Sequence, residues 1–220
     1  MTGKVFFSLS MSLDGFSAPE SMDGLFATPE QLKRDPKLAR GVEQWLDLQA
    51  WLVPLRFFRE NLKLGEGGEE GRDNDIARET FERTGVSIMG KGMFNLGEKS
   101  WPEEAPFHTP VFVVTHEERE PWTRGETTFY FVNDGIESAL KQARDVAGER
   151  DIRIAGGSET MVQYLNAGLV DEFTIAVSPV LFGVGTRLFD GVDSSKVSLK
   201  QIRSESSSRV THLTYAVHPR

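Results

Sequence analysis

Residues 152–160 read Ile-Arg-Ile-Ala-Gly-Gly-Ser-Glu-Thr, the order expected of a strand, a tight glycine turn and the start of a helix. The pair Gly156 and Gly157 lets the backbone turn sharply and lets another molecule approach it closely. Unpaired N–H groups in the first helical turn, together with the helix dipole, attract a phosphate group. The segment therefore predicts a phosphate-binding turn. A plain chain reversal in which Ser158 caps the helix fits the same residues.

A second stretch follows that helix directly, since residues 168–189 read GLVDEFTIAVSPVLFGVGTRLF. Apolar residues at 173–177 predict a strand after the helix expected over 158–167. Strands are also expected over 5–9, 86–89, 110–114, 127–132 and 151–155, helices over 75–83 and 136–147, and a terminal hairpin over 197–202 and 210–217. Asn133 or Asp134 is expected to cap the helix 136–147. This alternation predicts an α/β fold with a mostly parallel central sheet and an antiparallel C-terminal hairpin.

The part of the chain between the first strand and residue 75 has a different composition. Residues 19–36 contain prolines and a glycine that interrupt any periodicity, and they predict a loop. Residues 45–59 carry apolar side chains at helical spacing, with Pro54 expected to bend or split the helix. Glycines and acidic residues at 64–75 predict an exposed insertion at about 61–75. Because neither flank looks like a complete core, we expect one domain over residues 1–220.

Bulk composition limits the class of protein. The chain has 220 residues, of which 39% are hydrophobic and 26% charged, and its formal net charge is -8. Such a charge argues against general nucleic-acid binding, whose affinity depends on phosphate neutralisation. No run approaches the roughly 20 apolar residues that cross a bilayer, and the N-terminus lacks the apolar core of a signal peptide, so we expect no membrane association and a cytoplasmic location. Cysteine is absent and the histidines lack metal-ligand spacing, so no metal site is expected.

Several segments taken together resemble the dihydrofolate-reductase-like family, in particular the reductase domain of the bacterial bifunctional riboflavin-biosynthesis deaminase-reductase. The resemblance rests on the glycine pair before a helix, the connection GLVDE at 168–172 and the strand and loop PVLFGVGTRLF at 179–189. SLSMSLDGFSAP at 8–19 resembles the family's first strand and following loop, and PVFVVTHEER at 110–119 resembles its central strand. The resemblance implies a dihydrofolate-reductase-like three-layer fold.

The resemblance also implies that the chain binds NADPH. The loop after the first strand would close over the nicotinamide ribose, and Lys91 would face the 2′-phosphate where relatives carry arginine. Lysine supplies charge without a bidentate fork, and Met93 replaces the usual threonine, so the choice between NADPH and NADH stays open. The implied cofactor-binding residues are Ser12, Asp14, Gly15, Ala18, Gly90, Lys91, Thr115, His116, Arg119, Ala155, Gly156, Gly157, Ser158, Glu159 and Thr160. His116 fits a surface or capping residue as well.

The resemblance is less specific about catalysis. Folate reductases bind the pterin ring through a carboxylate on the long helix after the first strand, and Asp47 lies on the comparable helix. Glu43 is a second candidate, and both also fit a solvated helix face. Asp14 is a further catalytic candidate. Four aromatic side chains fit either a plain core or stacking on a flat heterocycle: Trp45, Trp51, Phe57 and Phe58. Two arginines, Arg56 and Arg59, fit either a solvated face or the binding of a substrate phosphate.

The expected function is therefore an NADPH-dependent reductase that transfers a hydride to a pyrimidine- or pterin-like heterocycle. The resemblance is to 5-amino-6-(5-phosphoribosylamino)uracil reductase of riboflavin biosynthesis. Two alternatives stay open, dihydrofolate reductase activity and a non-catalytic nucleotide-binding module of the same fold. The expected partners are a small heterocyclic substrate and a second copy of the chain in a homodimer, without nucleic acid or membrane.

Overall fold

A large β-sheet forms the centre of the computed structural model, which describes residues 2–220. The strands are β1 (Val5–Ser12), β2 (Phe16–Ala18), β3 (Thr84–Gly90), β4 (Val111–Val114), β5 (Trp122–Arg124), β6 (Thr127–Val132), β7 (Asp151–Gly156), β8 (Glu172–Ser178), β9 (Thr186–Arg187), β10 (Val197–Ser206) and β11 (Thr211–Pro219). The helices are α1 (Pro29–Arg34), α2 (Pro36–Leu48), α3 (Arg56–Asn61), α4 (Arg72–Glu82), α5 (Lys91–Ser100), α6 (Ile136–Ala147) and α7 (Ser158–Asn166), with a 3₁₀ helix at Asp23–Phe26.

Within residues 2–220 the main sheet has the strand order β10-β11-β8-β1-β7-β3-β4-β6-β5. The strands from β8 to β6 are parallel to their neighbours. The hairpin β10–β11 joins β8 in antiparallel fashion, and β5 is antiparallel to β6 at the opposite edge. A separate ribbon pairs β2 with β9. These pairings confirm the expected mostly parallel sheet with an antiparallel C-terminal hairpin.

Helices cover both faces of the sheet. On one face, α6 and α7 pack on alternate residues of the central strands, and the rings of Phe7 and Phe173 stack there with centroids 4.7 Å apart. On the other face, α5 places Phe94 among Val111, Val113 and Phe129, while α2, α3 and α4 cover the strands nearer the hairpin. Each fully buried phenylalanine contributes about 1.5–3 kcal/mol relative to an exposed one. The result is the expected three-layer arrangement.

The structure corrects the loop predicted over 19–36. Thr28 accepts a hydrogen bond from the Gln31 amide and begins α1, and Asp35 accepts two amides and begins α2. Two of the prolines that suggested a loop, Pro29 and Pro36, occupy the first helical positions of these helices. Proline is tolerated there because the first N–H groups of a helix have no intrahelical partner. They therefore mark helix starts and do not interrupt periodicity.

The remaining differences concern element ends. The helix expected over 45–59 is split as anticipated, since α2 ends at Leu48 and α3 begins at Arg56, with Pro54 between them. Residues 63–72 are exposed, but α4 begins at Arg72, earlier than expected. The helix α6 is preceded by Gly135 with φ 105° and has no side-chain cap, so the prediction of Asn133 or Asp134 was wrong. The one-domain organisation stays a prediction. No helix in residues 2–220 is long and apolar enough to cross a bilayer.

Candidate active site

A cleft of about 750 Å³ opens at the carboxyl ends of the parallel strands. Ligands of α/β sheets bind at this edge. The last residues of β3 and β7 lie in its wall, and so do the residues that directly follow β4 and β6. Its lining residues are Leu9, Ser10, Ser17, Ala18, Pro19, Glu20, Met22, Trp45, Gln49, Gly90, Lys91, Gly92, Met93, Leu96, Val114, Thr115, His116, Asn133, Gly135, Ile136, Ala155, Gly156, Gly157, Ser158, Glu159, Thr160, Met161, Gln163 and Thr186.

The N-termini of three helices meet at this cleft. The first residues of α5, α6 and α7 all line it, and none of these helices has a side-chain cap. Their first N–H groups therefore lack side-chain acceptors, and the three helix dipoles place partial positive charge on one cavity. An anionic group such as a phosphate is the ligand that this arrangement favours.

Glycines allow the strand ends and the helix starts to approach each other closely. A Cβ atom on Gly90 would lie 2.3 Å from Thr160 Oγ1, and one on Gly156, where φ is 148°, would lie 2.4 Å from Met93 Sδ. Gly92 and Gly157 instead face open space, with no atom within 4 Å of the position that a Cβ atom would occupy. The peptide between Gly156 and Gly157 is cis. Side chains are therefore excluded at Gly90 and Gly156, where the ends of β3 and β7 meet Thr160 and Met93.

Most of the predicted cofactor-binding residues line the cleft: Ala18, Gly90, Lys91, Thr115, His116, Ala155, Gly156, Gly157, Ser158, Glu159 and Thr160. Lys91 forms an ion pair with Glu117, so its ammonium group is already partnered but half-exposed. The Thr115 hydroxyl accepts a hydrogen bond from the Glu117 amide at 3.1 Å. His116 is exposed. The fold therefore brings together predicted residues from four separate segments.

Ser12, Asp14 and Gly15, which were predicted to bind the cofactor, do not line the cleft. The Asp14 carboxylate accepts hydrogen bonds from the Ser12 hydroxyl at 2.7 Å and from the Phe182 and Gly183 amides. Partial burial acts to raise the pKa of Asp14, but these hydrogen bonds outweigh it and lower the pKa to about 2. Asp14 is therefore an anionic anchor for the loop, and its carboxylate does not reach the reacting region.

Anchoring of this loop brings Ser17 against the glycine turn. The Ser17 and Ser158 hydroxyls are hydrogen-bonded at 2.7 Å, and Ser17 Oγ also donates to the Thr186 carbonyl at 3.2 Å. Ser17 and Ala18 both line the cleft. The loop after β1 and the start of α7 thus form opposite walls of one cavity, with the hydroxyl pair joining them.

Arg119 also lies outside the cleft. Its guanidinium donates to Glu98 at 2.5 Å and stacks over the rings of Phe94 and Phe131, 5.1 and 4.8 Å from their centroids. An arginine held by a carboxylate and two aromatic faces has little freedom to swing toward another anion. The structure therefore does not bring Arg119 to the predicted cofactor site.

The predicted carboxylates of the substrate region are elsewhere. Asp47 and Glu43 are both exposed on α2, and neither lines the cleft. Gln49, which follows α2, lines the cleft in their place, beside Trp45. Trp51 is buried and donates to Ser10. No sequence motif pointed to Gln49.

The predicted arginines belong to a different surface. Arg56 pairs with Glu60 and Glu70, and Arg59 donates to the Leu64 carbonyl. A depression of about 550 Å³ lies at this insertion and is lined by Arg56, Glu60, Lys63, Gly65, Glu66 and Gly67. Arg56 and Glu60 pair with each other there, and Lys63 pairs with Glu104. Phe57 is buried in the adjoining core, and Phe58 packs against it.

Asn133, Gly135 and Ile136 line the cleft but were not predicted. They directly follow β6, a parallel strand that the sequence located correctly. The rule that ligands bind beyond the carboxyl ends of such strands is the signal that could have identified them.

A possible metal-ligand cluster lies outside the cleft. Ligand atoms of Glu104, His108 and Glu126 come within 4.8 Å of one another. Glu104 already accepts the Lys63 ammonium at 2.9 Å and the Glu126 amide at 2.7 Å, and the pKa of Glu104 is lowered first by that amide and then by Lys63. These partners satisfy the carboxylate that would have to be the central ligand.

Curated relatives are similar to parts of the chain. The protein YyaP of Bacillus subtilis (strain 168), described as uncharacterized, is 34% identical over 86 residues, which are 39% of this chain and 45% of YyaP. YwjB of the same organism, also described as uncharacterized, is 25% identical over 137 residues, 60% of this chain and 74% of YwjB. The first match thus spans less than half the length of that relative.

Solved structures share the fold across the chain. A putative riboflavin biosynthesis protein from Shewanella sp. PV-4 has a TM-score of 0.65 at 21% identity, covering 98% of this chain and 99% of that one. A deaminase/5-amino-6-(5-phosphoribosylamino)uracil reductase from Thermotoga maritima has a TM-score of 0.54 at 15% identity, covering 98% of this chain and 56% of that one. Dihydrofolate reductase from Enterococcus faecalis, complexed with NADP(H), has a TM-score of 0.53 at 13% identity, covering 100% and 98%.

These likenesses confirm the dihydrofolate-reductase-like fold predicted from the sequence. The sequence itself matches the RibD C-terminal domain over residues 3–213, which is nearly all of the chain. That match coincides with the fold, the cleft and the glycine turn described above, and it supports a reductase. The chain belongs to the RibD C-terminal domain family.

Proposed function

We propose that this protein is an NADPH-dependent oxidoreductase that reduces a pyrimidine- or pterin-like heterocycle, in the manner of 5-amino-6-(5-phosphoribosylamino)uracil reductase. One observation carries the proposal: three helix N-termini without side-chain caps surround the Gly156–Gly157 turn at the carboxyl edge of the sheet. Family membership adds support, because the matched domain covers residues 3–213.

The lining residues fit a dinucleotide phosphate. Amides at the start of α5 and α7 would hold the diphosphate between two helix dipoles, where Gly90 and Gly156 leave no room for a side chain. Lys91 would turn from Glu117 toward the 2′-phosphate, a stronger anion than a carboxylate. Ser17 and Ala18 would cover the nicotinamide end. When bound, NADPH supplies a hydride to an electrophilic carbon, and solvent supplies the proton that completes the reduction.

The rest of the cleft fits a flat, mainly apolar ring. Leu9, Met22 and Trp45 lie at the end formed by β1, the following loop and α2. Trp45 is half-buried and packs with Phe16, Leu48 and Phe182, so its ring is fixed in place. A rigid aromatic wall of this kind orients a heterocycle and excludes water from the region where it would be reduced.

Cofactor binding is tested by titrating the protein with NADPH and following tryptophan fluorescence and the melting temperature. At about 100 times the dissociation constant, binding stabilises the folded state by about 2.7 kcal/mol. Comparing Ser158→Pro with Ser158→Ala tests the site. Both lose the hydroxyl that meets Ser17, but only proline lacks the amide N–H, and it is tolerated at a first helical position.

We expect Ser158→Pro to bind NADPH about tenfold more weakly than Ser158→Ala, since a hydrogen bond to a charged group contributes about 1.5–3 kcal/mol. Equal affinities of the two variants would remove the amides of α7 from the cofactor site. Absence of binding to the wild-type protein at millimolar NADPH would overturn the proposed function altogether.

Turnover separates an enzyme from a nucleotide-binding module. NADPH oxidation is followed by absorbance with a panel of pyrimidines and pteridines, including dihydrofolate. A compound that is reduced identifies the enzyme, whereas tight NADPH binding with no oxidation across the panel favours the module. The exposed positions of Asp47 and Glu43 lead us to expect no appreciable activity with dihydrofolate.

We also propose a homodimer, as the family resemblance implies, and a cytoplasmic location, as the lack of a membrane-spanning run and of a signal-peptide core suggests. The edge strand β10 exposes two apolar side chains, Leu199 at 48% and Ile202 at 51%, which are available for contact with a second copy. Size-exclusion chromatography with light scattering gives the mass directly. A monomeric mass at concentrations well above those used in the assays would contradict the homodimer.

A further inference from the structure

The end of the cleft formed by β1, the following loop and α2, here called the substrate end, contains a directional chain of hydrogen bonds. The Trp51 Nε1 atom lies 2.9 Å from Ser10 Oγ, and Ser10 Oγ lies 3.2 Å from Gln49 Oε1. Ser10 and Trp51 are buried, with 6% and 8% of their surfaces exposed, while Gln49 is half-buried and lines the cleft. The chain joins β1 to the segment that follows α2.

The atoms in contact give each hydrogen bond a direction. The indole N–H of Trp51 can only donate, so Ser10 Oγ accepts from it. In the structure the single hydrogen of the Ser10 hydroxyl is directed to Gln49 Oε1, the carbonyl oxygen of the side-chain amide. The amide nitrogen of Gln49, with its two N–H donors, is left on the other side of the side chain. Within residues 2–220 this nitrogen has no hydrogen-bond acceptor.

Charges around this end of the cleft are sparse. Among the described lining residues, the basic side chains are Lys91 and His116, which follow β3 and β4. They lie at the end formed by the starts of α5, α6 and α7, here called the proposed cofactor end. The acidic lining residues are Glu20 and Glu159, and both are exposed. Arg40 is not a lining residue, and it donates to the Phe182 carbonyl at 3.1 Å. Within the part of the chain that the structure describes, no basic residue of β1, of the loop that follows it or of α2 therefore lines the cleft.

We infer that Gln49 anchors the substrate through its amide N–H groups, and that the substrate is an uncharged heterocycle with a ring carbonyl and no phosphate group. The inference rests on the proposed function and specifies its substrate class. An amide donor prefers a carbonyl oxygen, whereas a carboxylate at this place would prefer ring N–H and amino donors or a cationic ring. Ser10 and Trp51 are positioning residues because they hold the amide in one orientation.

The test compares two pteridines that share a ring system. Lumazine carries two ring carbonyls, and 2,4-diaminopteridine carries amino groups in the same places. Dissociation constants for both are measured by calorimetry, on the protein saturated with NADPH and on the protein alone. Uridine and uridine 5′-monophosphate form a second pair that differs only in a phosphate group.

We expect the wild-type protein to prefer lumazine, and Gln49→Glu to reverse the preference. The glutamate keeps an acceptor for Ser10 and replaces the donors by an acceptor, so lumazine binds about tenfold more weakly, as loss of one hydrogen bond implies. Ser10→Ala frees the amide to turn over and brings the two affinities together without reversing them. Gln201→Glu, the same change at an exposed position of β10, leaves both affinities unchanged and serves as the control.

The outcomes separate this inference from the proposed function. If NADPH binds but Gln49→Glu leaves the ratio of the two pteridine affinities unchanged, Gln49 is not the anchor although the function stands. If NADPH fails to bind, the proposed function is lost, and the ratio measured on the protein alone still tests Gln49. Tighter binding of uridine 5′-monophosphate than of uridine by tenfold or more would overturn the statement about phosphate.

Discussion

The contact between Gly90 and Thr160 provides a quantitative test of the geometry of the cleft. In Gly90→Ala the new Cβ atom would lie 2.3 Å from Thr160 Oγ1 but 3.5 Å from Thr160 Cβ. Thr160 is 8% exposed in the first turn of α7, and as a β-branched residue it has few alternative rotamers. Gly90 has φ −80°, which alanine adopts without strain, so the whole cost comes from the steric overlap.

Overpacking of this kind costs about 1–3 kcal/mol, and we expect Gly90→Ala to lose about 2 kcal/mol of unfolding free energy. Such a loss lowers the melting temperature by about 4–8 °C for a chain of this size. The clashing atom is absent from Thr160→Ala, and the remaining 3.5 Å is an ordinary van der Waals separation. The double variant is therefore expected to recover most of the loss that Gly90→Ala alone produces.

Urea unfolding of the wild type, both single variants and the double variant gives the coupling energy directly. We expect a favourable coupling of at least about 1 kcal/mol between the two substitutions. If Gly90→Ala is as stable as the wild type, or if its loss simply adds to that of Thr160→Ala, the strand end of β3 and the start of α7 are not in the contact described. The proposed cavity between α5 and α7 would then be wrongly shaped.

Three further predictions concern charge. Lys91→Ala should weaken NADPH binding about tenfold and leave NADH binding unchanged by calorimetry, because only NADPH carries the 2′-phosphate; an equal loss for both would contradict the assignment. Since the pKa of Asp14 is lowered from 3.8 to about 2, its contribution to stability is present above pH 3.8 and lost as the pH falls toward 2. The unfolding free energies of the wild type and Asp14→Asn, measured by urea denaturation, should differ by about 1 kcal/mol near neutral pH and converge in acid. A difference that stays constant with pH would argue against the anchor. Burial lowers the pKa of His212 below 6.5 despite its partner Asp73. The contribution of neutral His212 to stability is therefore present above pH 6.5 and lost as the pH falls through the lowered pKa. His212→Gln should flatten this pH dependence of the unfolding free energy, and an unchanged slope would contradict the assignment.

The sheet could be predicted from the sequence because its strands depend on local patterns. The continuous apolar run at 110–114 and the alternation at 5–9 specify buried strands wherever they occur in the chain. Pro29 and Pro36 show why the loop prediction over 19–36 failed. Proline breaks a helix when it lies in the interior, but it is favourable at the first helical position. The residue before each proline distinguishes the two cases, because Thr28 and Asp35 are residue types that cap the N-terminus of a helix.

Most residues at the proposed cofactor end of the cleft could be predicted to lie together for a related reason. Two of its predicted segments, 90–91 and 155–160, each run from the end of a strand into the start of a helix, so the residues concerned are close in sequence. Arg119 was misplaced because its partners, Glu98 and the ring of Phe94, lie more than twenty residues earlier in the chain and compete for its guanidinium. Gln49 was missed because its orientation depends on Ser10, which is 39 residues away in sequence. Neither long-range contact can be recognised from residues that are adjacent in the sequence.

The two ends of the cleft therefore differ in how they are built. At the proposed cofactor end, β3, β6 and β7 run into α5, α6 and α7. Because these strands belong to the parallel part of the sheet, all three helix starts lie at one edge of it. Positive potential at that edge is a consequence of topology, and any sequence that adopts the topology acquires it. At the substrate end the wall comes from the single connection after β1, where no repeated unit constrains the side chains. Side chains at that end, Gln49 among them, can therefore change without altering the helix starts at the other end. For this reason, membership of the family supports the proposed cofactor more strongly than it supports any one substrate.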